Sequence, residues 1–392
     1  MRRILFVDDE PMVLDGLRRM LRPMRKQWEM EYATSGEEAL RIMADGVFDV
    51  IVTDMRMPGM DGSQLLYRVR ELYPHTVRII LSGQSDKEKL LRSIEPVHQY
   101  LSKPCDAEIL KATVSRTFAV RRLLENDALA NVISKIESLP SLPSMYSEIT
   151  DEIDSPDGSL AKVGEIISKD IGMSAKILQL VNSSFFGLAT HVGNPAKAVS
   201  LLGLETVKAL VAGIMIFSQF AHPPSPYCAI EELWNHSVAT SCLARDIAGN
   251  LNLTREEIDD SFLAGLLHDV GKLILLDRFP QECKTILEVA GSMGRPIVEA
   301  EKIVLGTTHA ELGAYLLGIW GFSDSVIHGI AFHHRPGECP NAGPGVLTAV
   351  HIANESQYRS APDGRTLNFD LDYLSKSGIE RVEELTSACS YP

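Results

Sequence analysis

The 392-residue sequence predicts a multidomain protein, with a doubly wound α/β domain on a parallel five-stranded sheet first and an all-α module after it. Three observations predict this. Short apolar runs ending in polar or charged residues recur over the first hundred residues. Helical patterns separate them, and beyond Pro140 the strand signals stop.

The runs come in order. Ile4-Leu5-Phe6-Val7 leads into Asp8-Asp9-Glu10, and Val50-Ile51-Val52-Thr53 leads into Asp54. Arg78-Ile79-Ile80-Leu81 ends in Ser82, and Tyr100-Leu101-Ser102 ends in Lys103-Pro104. Such runs between helical patterns read as buried strands of a parallel sheet. Leu14, Leu17 and Leu21 recur at helical spacing, Ser35 to Glu38 reads as a capping box, and Ser85 to Glu88 repeats that start signal. Strand and helix alternate five times, as a doubly wound sheet requires.

Ligands of such sheets sit beyond the carboxyl ends of the strands. Asp8, Asp9, Asp54, the Ser82 hydroxyl and the Lys103 ammonium therefore converge on one rim. Crowded carboxylates repel, and a hard cation with oxygen ligands, Mg²⁺, holds them best. With Mg²⁺ and Lys103 neutralising a phosphoryl oxygen, one carboxylate can attack phosphorus and carry an acyl phosphate. The pattern reads as a phosphorylation switch.

On these residues, 1–120 resembles the CheY-like receiver domain of bacterial response regulators, a flavodoxin-like fold. The resemblance implies that Asp54 is the phosphoacceptor and that Asp8, Asp9, Asp54 and the carbonyl of Arg56 hold Mg²⁺. It makes Ser82 and Tyr100 the switch residues and Lys103 the phosphate contact, with a cis peptide before Pro104. It also implies a cognate histidine kinase as partner.

Composition bounds the whole. Hydrophobic residues make up 45% and charged residues 23%, a globular balance for two or three domains. A net charge of −14 gives nucleic acid no electrostatic help, and no basic stretch or helix-turn-helix signal offsets it. The longest apolar stretch, Ala209 to Phe217, is too short for a membrane span, and Met1-Arg2-Arg3 precedes only four apolar residues, so no secretory signal is expected. The six cysteines form no CxxC pair and no zinc spacing. A cytoplasmic protein with reduced thiols, no nucleic-acid partner and no membrane partner is the expectation.

Residues 106–138 contain no glycine or proline and read as one connecting helix, which Asp106 can cap. Leu110, Val114, Leu124 and Ala128 fall near heptad positions, but Thr117 and Arg121 interrupt the seam. A linker that packs on its own domains is expected, with a homodimer through it left open.

Beyond Pro140, helical periodicity covers Ser144 to Ile153, Leu160 to Lys169, Met173 to Ser184, Pro195 to Leu202 and Glu205 to Phe220. Asn194 before Pro195 suits a helix cap, as does Thr254, and Gly187 suits a left-handed stop. Trp234, Phe185 and Phe186 read as core, and Glu256, Glu257, Asp259 and Asp260 as a solvated face. The runs Leu139 to Ser144, Lys169-Asp170, Ser174 to Leu178, Val181 to Gly187 and Ala198 to Leu204 resemble the HDOD domain, an all-helical relative of the HD phosphohydrolases. The resemblance extends over 131–392, including a C-terminal helical extension, and implies signalling output to a downstream protein.

His236, His268-Asp269, His309 and His333-His334 occupy motif positions where HD hydrolases, the HD-GYP phosphodiesterases among them, place metal ligands. Imidazoles and a carboxylate suit Fe, Mn or Zn, which can activate a water against a phosphodiester. Lys272 would meet a phosphate oxygen. Two features cut against catalysis. The closing Asp of the HD pattern is Asn354, a poorer ligand; His351, one turn before it, has the chemistry to substitute, but a lone helix histidine is more often a packed core residue. No Gly-Tyr-Pro follows His334. The expected function is a response regulator whose HDOD module signals through protein partners. The alternative is a phospho-regulated hydrolase of a nucleotide or cyclic dinucleotide.

Overall fold

The computed structural model describes residues 2–82, 97–120, 129–130, 133–134, 136, 148–149, 151–153, 155, 158–182, 191–203, 207, 227, 229–340, 343–357 and 368–386. Two compact units divide the chain: 1–137 with 179–189 and 319–321, and 138–178 with 190–318 and 322–392.

The first unit is built on β1 (Arg2–Val7), α1 (Pro11–Met20), β2 (Trp28–Ala33), α2 (Gly36–Ala44), β3 (Val50–Asp54), α3 (Gly62–Leu72), β4 (Val77–Ser82), β5 (Gln99–Ser102) and α4 (Ala107–Val120). The five strands pair in parallel in the order β2-β1-β3-β4-β5, the doubly wound arrangement expected from the sequence. Every residue of β3 and β4 is buried, so apolar side chains serve both faces of the central strands. Each such side chain contributes about 1.5–3 kcal/mol. The register places Asp54 opposite Leu81 and Ser82 opposite Ser102, and Asp8 follows β1 directly.

Local chemistry fixes the helix starts. Ser35 caps α2 by accepting from the Glu38 N–H, but Glu38 returns its bond to Thr34 and not to Ser35, so the expected box closes one residue early. Asp61 and Gln64 form a full capping box on α3, which the sequence reading did not anticipate. Asp106 caps α4 through the N–H groups of Glu108 and Ile109. Thr117 does not interrupt the inward face of α4: it is fully buried, bonds the Thr113 carbonyl at 3.0 Å, and lies beside Leu110, Val114 and Phe118. Phe118 stacks obliquely on Trp28.

Beyond Val120, Leu129, Ala130 and Ile133 are helical and Ser134 is in a turn. Arg78, wholly buried in β4, donates Nη2 to the Ser134 carbonyl at 2.8 Å and lies equally close to the His98 ring. The expected helix start at Ser85, residues 121–128 of the connector, the Leu139 to Ser144 motif, Phe185, Phe186, Gly187 and nearly all of the helix from Glu205 to Phe220 lie outside the described residues.

Among the described residues of the second unit, the regular elements are all helices. It comprises α5 (Leu160–Ile167), α6 (Ile171–Val181), α7 (Pro195–Leu202), α8 (Ile230–Asn250), α9 (Arg255–Leu267), α10 (Val270–Arg278), α11 (Pro280–Met293), α12 (Ile297–Leu305), α13 (His309–Ile319), α14 (Asp324–Ala331), α15 (Val346–Gln357), α16 (Leu371–Lys376) and α17 (Val382–Thr386). Asn194 caps α7, and Thr254 with Glu257 forms a capping box on α9. Helices α8, α9, α14 and α15 pack on one another and bury Trp234, Leu263, Ile327 and Val350. One expectation is corrected here. Asp260 does not belong to a solvated face; it is 2% exposed and accepts from the hydroxyls of Ser323 and Ser325 at the start of α14.

Candidate functional sites

The first site lies at the carboxyl ends of β1, β3 and β5. Asp54, the last residue of β3, and Asp8 are buried, Asp9 is half-buried and Arg56 is exposed. The Lys103 ammonium bonds Asp8 Oδ2 at 2.7 Å and also Asp54 Oδ1. Asp54 Oδ2 accepts from the Arg56 N–H at 2.9 Å, and Asp8 Oδ1 from the Glu10 N–H at 3.0 Å. Burial raises the Asp54 carboxyl above its ordinary range, which Lys103 only partly offsets. Burial would lower Lys103, but Asp54 and Asp8 outweigh it and hold the ammonium above its ordinary value. Ser82 closes β4 and is buried. Tyr100 on β5 is 1% exposed, so its ring is inside, and burial pushes its phenol up. The Lys103–Pro104 peptide is cis. The charge balance fits a divalent cation: Asp8 and Asp54 already share one ammonium, and Asp9 adds a third carboxylate.

The second site gathers side chains from five places in the helical unit. His236 stands on α8, His268 and Asp269 join α9 to α10, His309 opens α13, His333 and His334 follow α14, and Asn354 stands on α15. Two glycines permit the approach. A Cβ on Gly265 would lie 2.8 Å from Ser241 Cα on α8, and one on Gly271 would lie 1.8 Å from the His309 carbonyl oxygen.

Asp269 is the hub, 1% exposed. Its Oδ2 meets Lys272 Nζ at 2.6 Å, His268 Nε2 at 3.3 Å and His236 Nε2 at 3.8 Å. Its Oδ1 meets His309 Nε2 at 3.1 Å and His333 Nε2 at 3.9 Å. His334 Nε2 lies 3.2 Å from His309 Nε2, and Asn354 Oδ1 lies 3.0 Å from His236 Nε2. The Nδ1–H groups of His268 and His333 donate to the carbonyls of Gly265 and Ile330, each at 2.7 Å, so both rings turn Nε2 inward.

Two residues that the sequence did not reveal complete the arrangement. Glu301 on α12, fully buried, accepts from His309 Nδ1 at 2.8 Å, from the His309 backbone N–H at 2.8 Å and from the Tyr227 hydroxyl at 2.5 Å. The only signal in the sequence is that Glu301 shares a helix face with Leu305, where an apolar residue would be ordinary.

Electrostatics divide these rings. Burial lowers His309, but Glu301 and Asp269 outweigh it and hold the ring at about 9. Burial, and then His268, bring His236 down to about 4. Burial takes His333 and His334 well below the ordinary value. Burial alone would raise Asp269, yet His268 and Lys272 hold it well below the usual carboxylate range.

Lys272, expected at a phosphate, sits on Asp269. His351 is no stand-in for a missing ligand: Nδ1 donates to the His333 carbonyl at 2.8 Å, and Nε2 accepts from the Asp370 N–H at 3.1 Å. The other nominated residues converge. Two groups have the reach to hold a metal ion, Asp269 with His309, His333 and His334, and Asp269 with His236 and His268. The donor chemistry fits Fe, Mn or Zn. Among the described residues, three buried atoms of the site, Asp269 Oδ1, His333 Nε2 and Asn354 Nδ2, have no hydrogen-bond partner.

A sheet of this order, tipped with carboxylates and followed by a helical unit with a histidine centre, defines a receiver joined to an HD-type module. Family comparison agrees. The family model of the response regulator receiver domain matches residues 4–115, and that of the HDOD domain matches residues 139–336. The chain belongs to the HDOD family and carries an N-terminal receiver domain, as response regulators do.

An uncharacterized protein from Treponema pallidum is 27% identical over 251 residues, 64% of this chain and 48% of that protein. The hydrogenase transcriptional regulatory protein HoxA from Bradyrhizobium diazoefficiens is 34% identical over 137 residues, 34% of this chain and 28% of its own. The chain thus spans about half or less of these relatives. Among solved structures, the MmoQ response regulator from Methylococcus capsulatus is 22% identical, with 64% of this chain and 98% of that one covered and a TM-score of 0.47. The signal receiver domain of an HD domain-containing protein from Pseudomonas fluorescens is 31% identical, with 29% and 92% covered and a TM-score of 0.28. Among the described residues, no helix is long and apolar enough to cross a membrane.

Proposed function

We propose that this chain is a phosphorylation-switched response regulator: a histidine kinase phosphorylates Asp54, and the helical module passes the state to a partner protein in the cytoplasm. The observation that carries this reading is the Lys103 ammonium bound to both Asp8 and Asp54 at the sheet rim. Asp8, Asp9, Asp54 and the Arg56 carbonyl are the groups that would hold Mg²⁺. Bound there, the ion supplies neutralising charge for the phosphoryl oxygens. Asp54 supplies the attacking oxygen, and Lys103 faces the phosphoryl group once Asp54 is modified. Ser82 and Tyr100 then shift toward the phosphoryl oxygens, which alters the surface beside β4 and β5. Labelling by acetyl phosphate is expected only with Mg²⁺, to disappear in Asp54→Asn and to lose its downstream response in Lys103→Ala. Labelling that persists in Asp54→Asn excludes Asp54 as the acceptor.

A second reading, favoured by the convergence of Asp269, His309, His333 and His334 and by His333 Nε2, which has no hydrogen-bond partner among the described residues, is a metal-dependent phosphohydrolase acting on a nucleotide or cyclic dinucleotide. A bound transition metal supplies acidified water. The chain itself orients the rings through Gly265, Ile330 and Glu301 and keeps Asp269 ionised through Lys272. Purified protein is then expected to carry Fe, Mn or Zn, lost in Asp269→Ala and in Asp269→Asn, with phosphodiesterase activity in Mn²⁺ or Fe²⁺. Wild-type protein that stays metal-free after loading removes this reading and leaves the first in place.

A further inference from the structure

The two oxygens of Asp269 face different surroundings. Oδ2 already has a cation, since Lys272 Nζ stands 2.6 Å away. On that side the position of the expected closing carboxylate holds Asn354, a neutral amide whose oxygen bonds His236 at 3.0 Å. There His236 Nε2 has His268 and Asn354 as neighbours and Lys272 neutralises Oδ2, while Asn354 Nδ2 has no hydrogen-bond partner among the described residues. Oδ1 has the His309 ring as its ionic neighbour, with Nε2 3.1 Å away. It has no hydrogen-bond partner among the described residues, and neither has His333 Nε2 facing it from 3.9 Å. His333 gives its Nδ1–H to Ile330, so Nε2 offers the carboxylate a lone pair. Two buried lone pairs turned toward each other repel, and a cation between them removes the conflict. His309 Nε2 and His334 Nε2 border the same space, and the four donor atoms lie within 4.8 Å of one another.

We propose that the centre takes a single divalent transition metal, bound by Asp269 Oδ1, His309, His333 and His334, and that Glu301 is the positioning residue that aims His309 at it. This rests on the metal-centre reading above. The His236, His268 and Asn354 half holds no metal. Glu301 grips His309 by both its ring Nδ1–H and its backbone N–H, while Tyr227 holds Glu301 Oε1 in turn. The ring is left one orientation, with Nε2 toward Asp269. Carboxylate–histidine pairs of this kind orient metal ligands and raise their basicity. Three imidazoles and one carboxylate select a first-row divalent ion over Mg²⁺ or Ca²⁺.

The test titrates full-length, metal-stripped protein with Co²⁺, reading stoichiometry, affinity and the visible ligand-field band, with thermal melting of each metal-free form as the control for folding. One Co²⁺ per chain is expected for the wild type. Uptake should vanish in His309→Ala and His333→Ala, and in the bulkier His333→Gln should the smaller variant not fold. It should persist in His236→Ala and Asn354→Ala. Glu301→Gln, nearly isosteric, should weaken binding about ten- to hundredfold and shift the band without lowering the melting temperature. Two Co²⁺ per chain, or loss in His236→Ala as well, overturns the single-metal assignment. Glu301→Gln that binds with wild-type affinity and spectrum overturns the role of Glu301. Wild type that takes up no cobalt overturns the metal-centre reading itself, an outcome the other results cannot mimic.

Discussion

His351 and Asn354 stand one turn apart on α15, and their surroundings assign them different work. His351 bridges the His333 carbonyl and the Asp370 N–H, so removing its ring strands two backbone groups. His351→Ala is expected to destabilise the helical unit by about 2–4 kcal/mol in urea denaturation, while metal stoichiometry in the folded protein stays at the wild-type value. Lost metal with unchanged stability would instead make His351 a ligand. Asn354 turns its carbonyl oxygen toward His236. Asn354→Asp supplies the charge that half of the centre lacks, and Co²⁺ stoichiometry should rise from one toward two. An unchanged stoichiometry would show that Lys272, not Asn354, keeps that half empty. The histidines were legible in the sequence because each sits in a short motif. Glu301 was not, because its meaning depends on a neighbour eight residues away in a different helix.

Helix crossings build the centre. Gly271, the second residue of α10, lies against the first residue of α13, where a methyl group would fall 1.8 Å from the His309 carbonyl oxygen. Gly271→Ala must push α13 away, and with it His309. We expect a loss of about 2–4 kcal/mol in stability and at least tenfold weaker metal binding, read in the same titration. Wild-type affinity in Gly271→Ala would mean that the centre tolerates a shift of α13. Capping acts at the same scale but only on stability. Thr254→Ala, at a box far along α9 from His268, should cost about 1 kcal/mol and leave metal binding untouched. Such boundaries were readable at Asn194 and Thr254, where side chain and backbone lie within one turn. The solvated reading of Asp260 failed because its partners, Ser323 and Ser325, are more than sixty residues away.

At the scale of the whole molecule, the connection between receiver and helical module is a proposal with its own test. A stiff helix transmits rotation and register better than a flexible linker. A phosphoryl group can shift the second module only through a different affinity for its two states. Inserting Gly-Gly after Ala119 should leave Asp54 phosphorylation intact and abolish its effect on hydrogen exchange in the helical unit. Identical exchange in phosphorylated and unphosphorylated wild type would reduce the connector to a tether. The sequence by itself determined the two fold classes, the parallel sheet with its carboxylate rim, and the candidate ligands, since periodicity and strand-end chemistry are local. Only the tertiary structure decided that Lys272 pairs with Oδ2 of Asp269 and His309 with Oδ1, that His351 is spent on backbone, and that Glu301 and Tyr227 stand behind His309. Those facts depend on the direction of single atoms across helix crossings, and direction is set by packing between segments that the sequence keeps far apart.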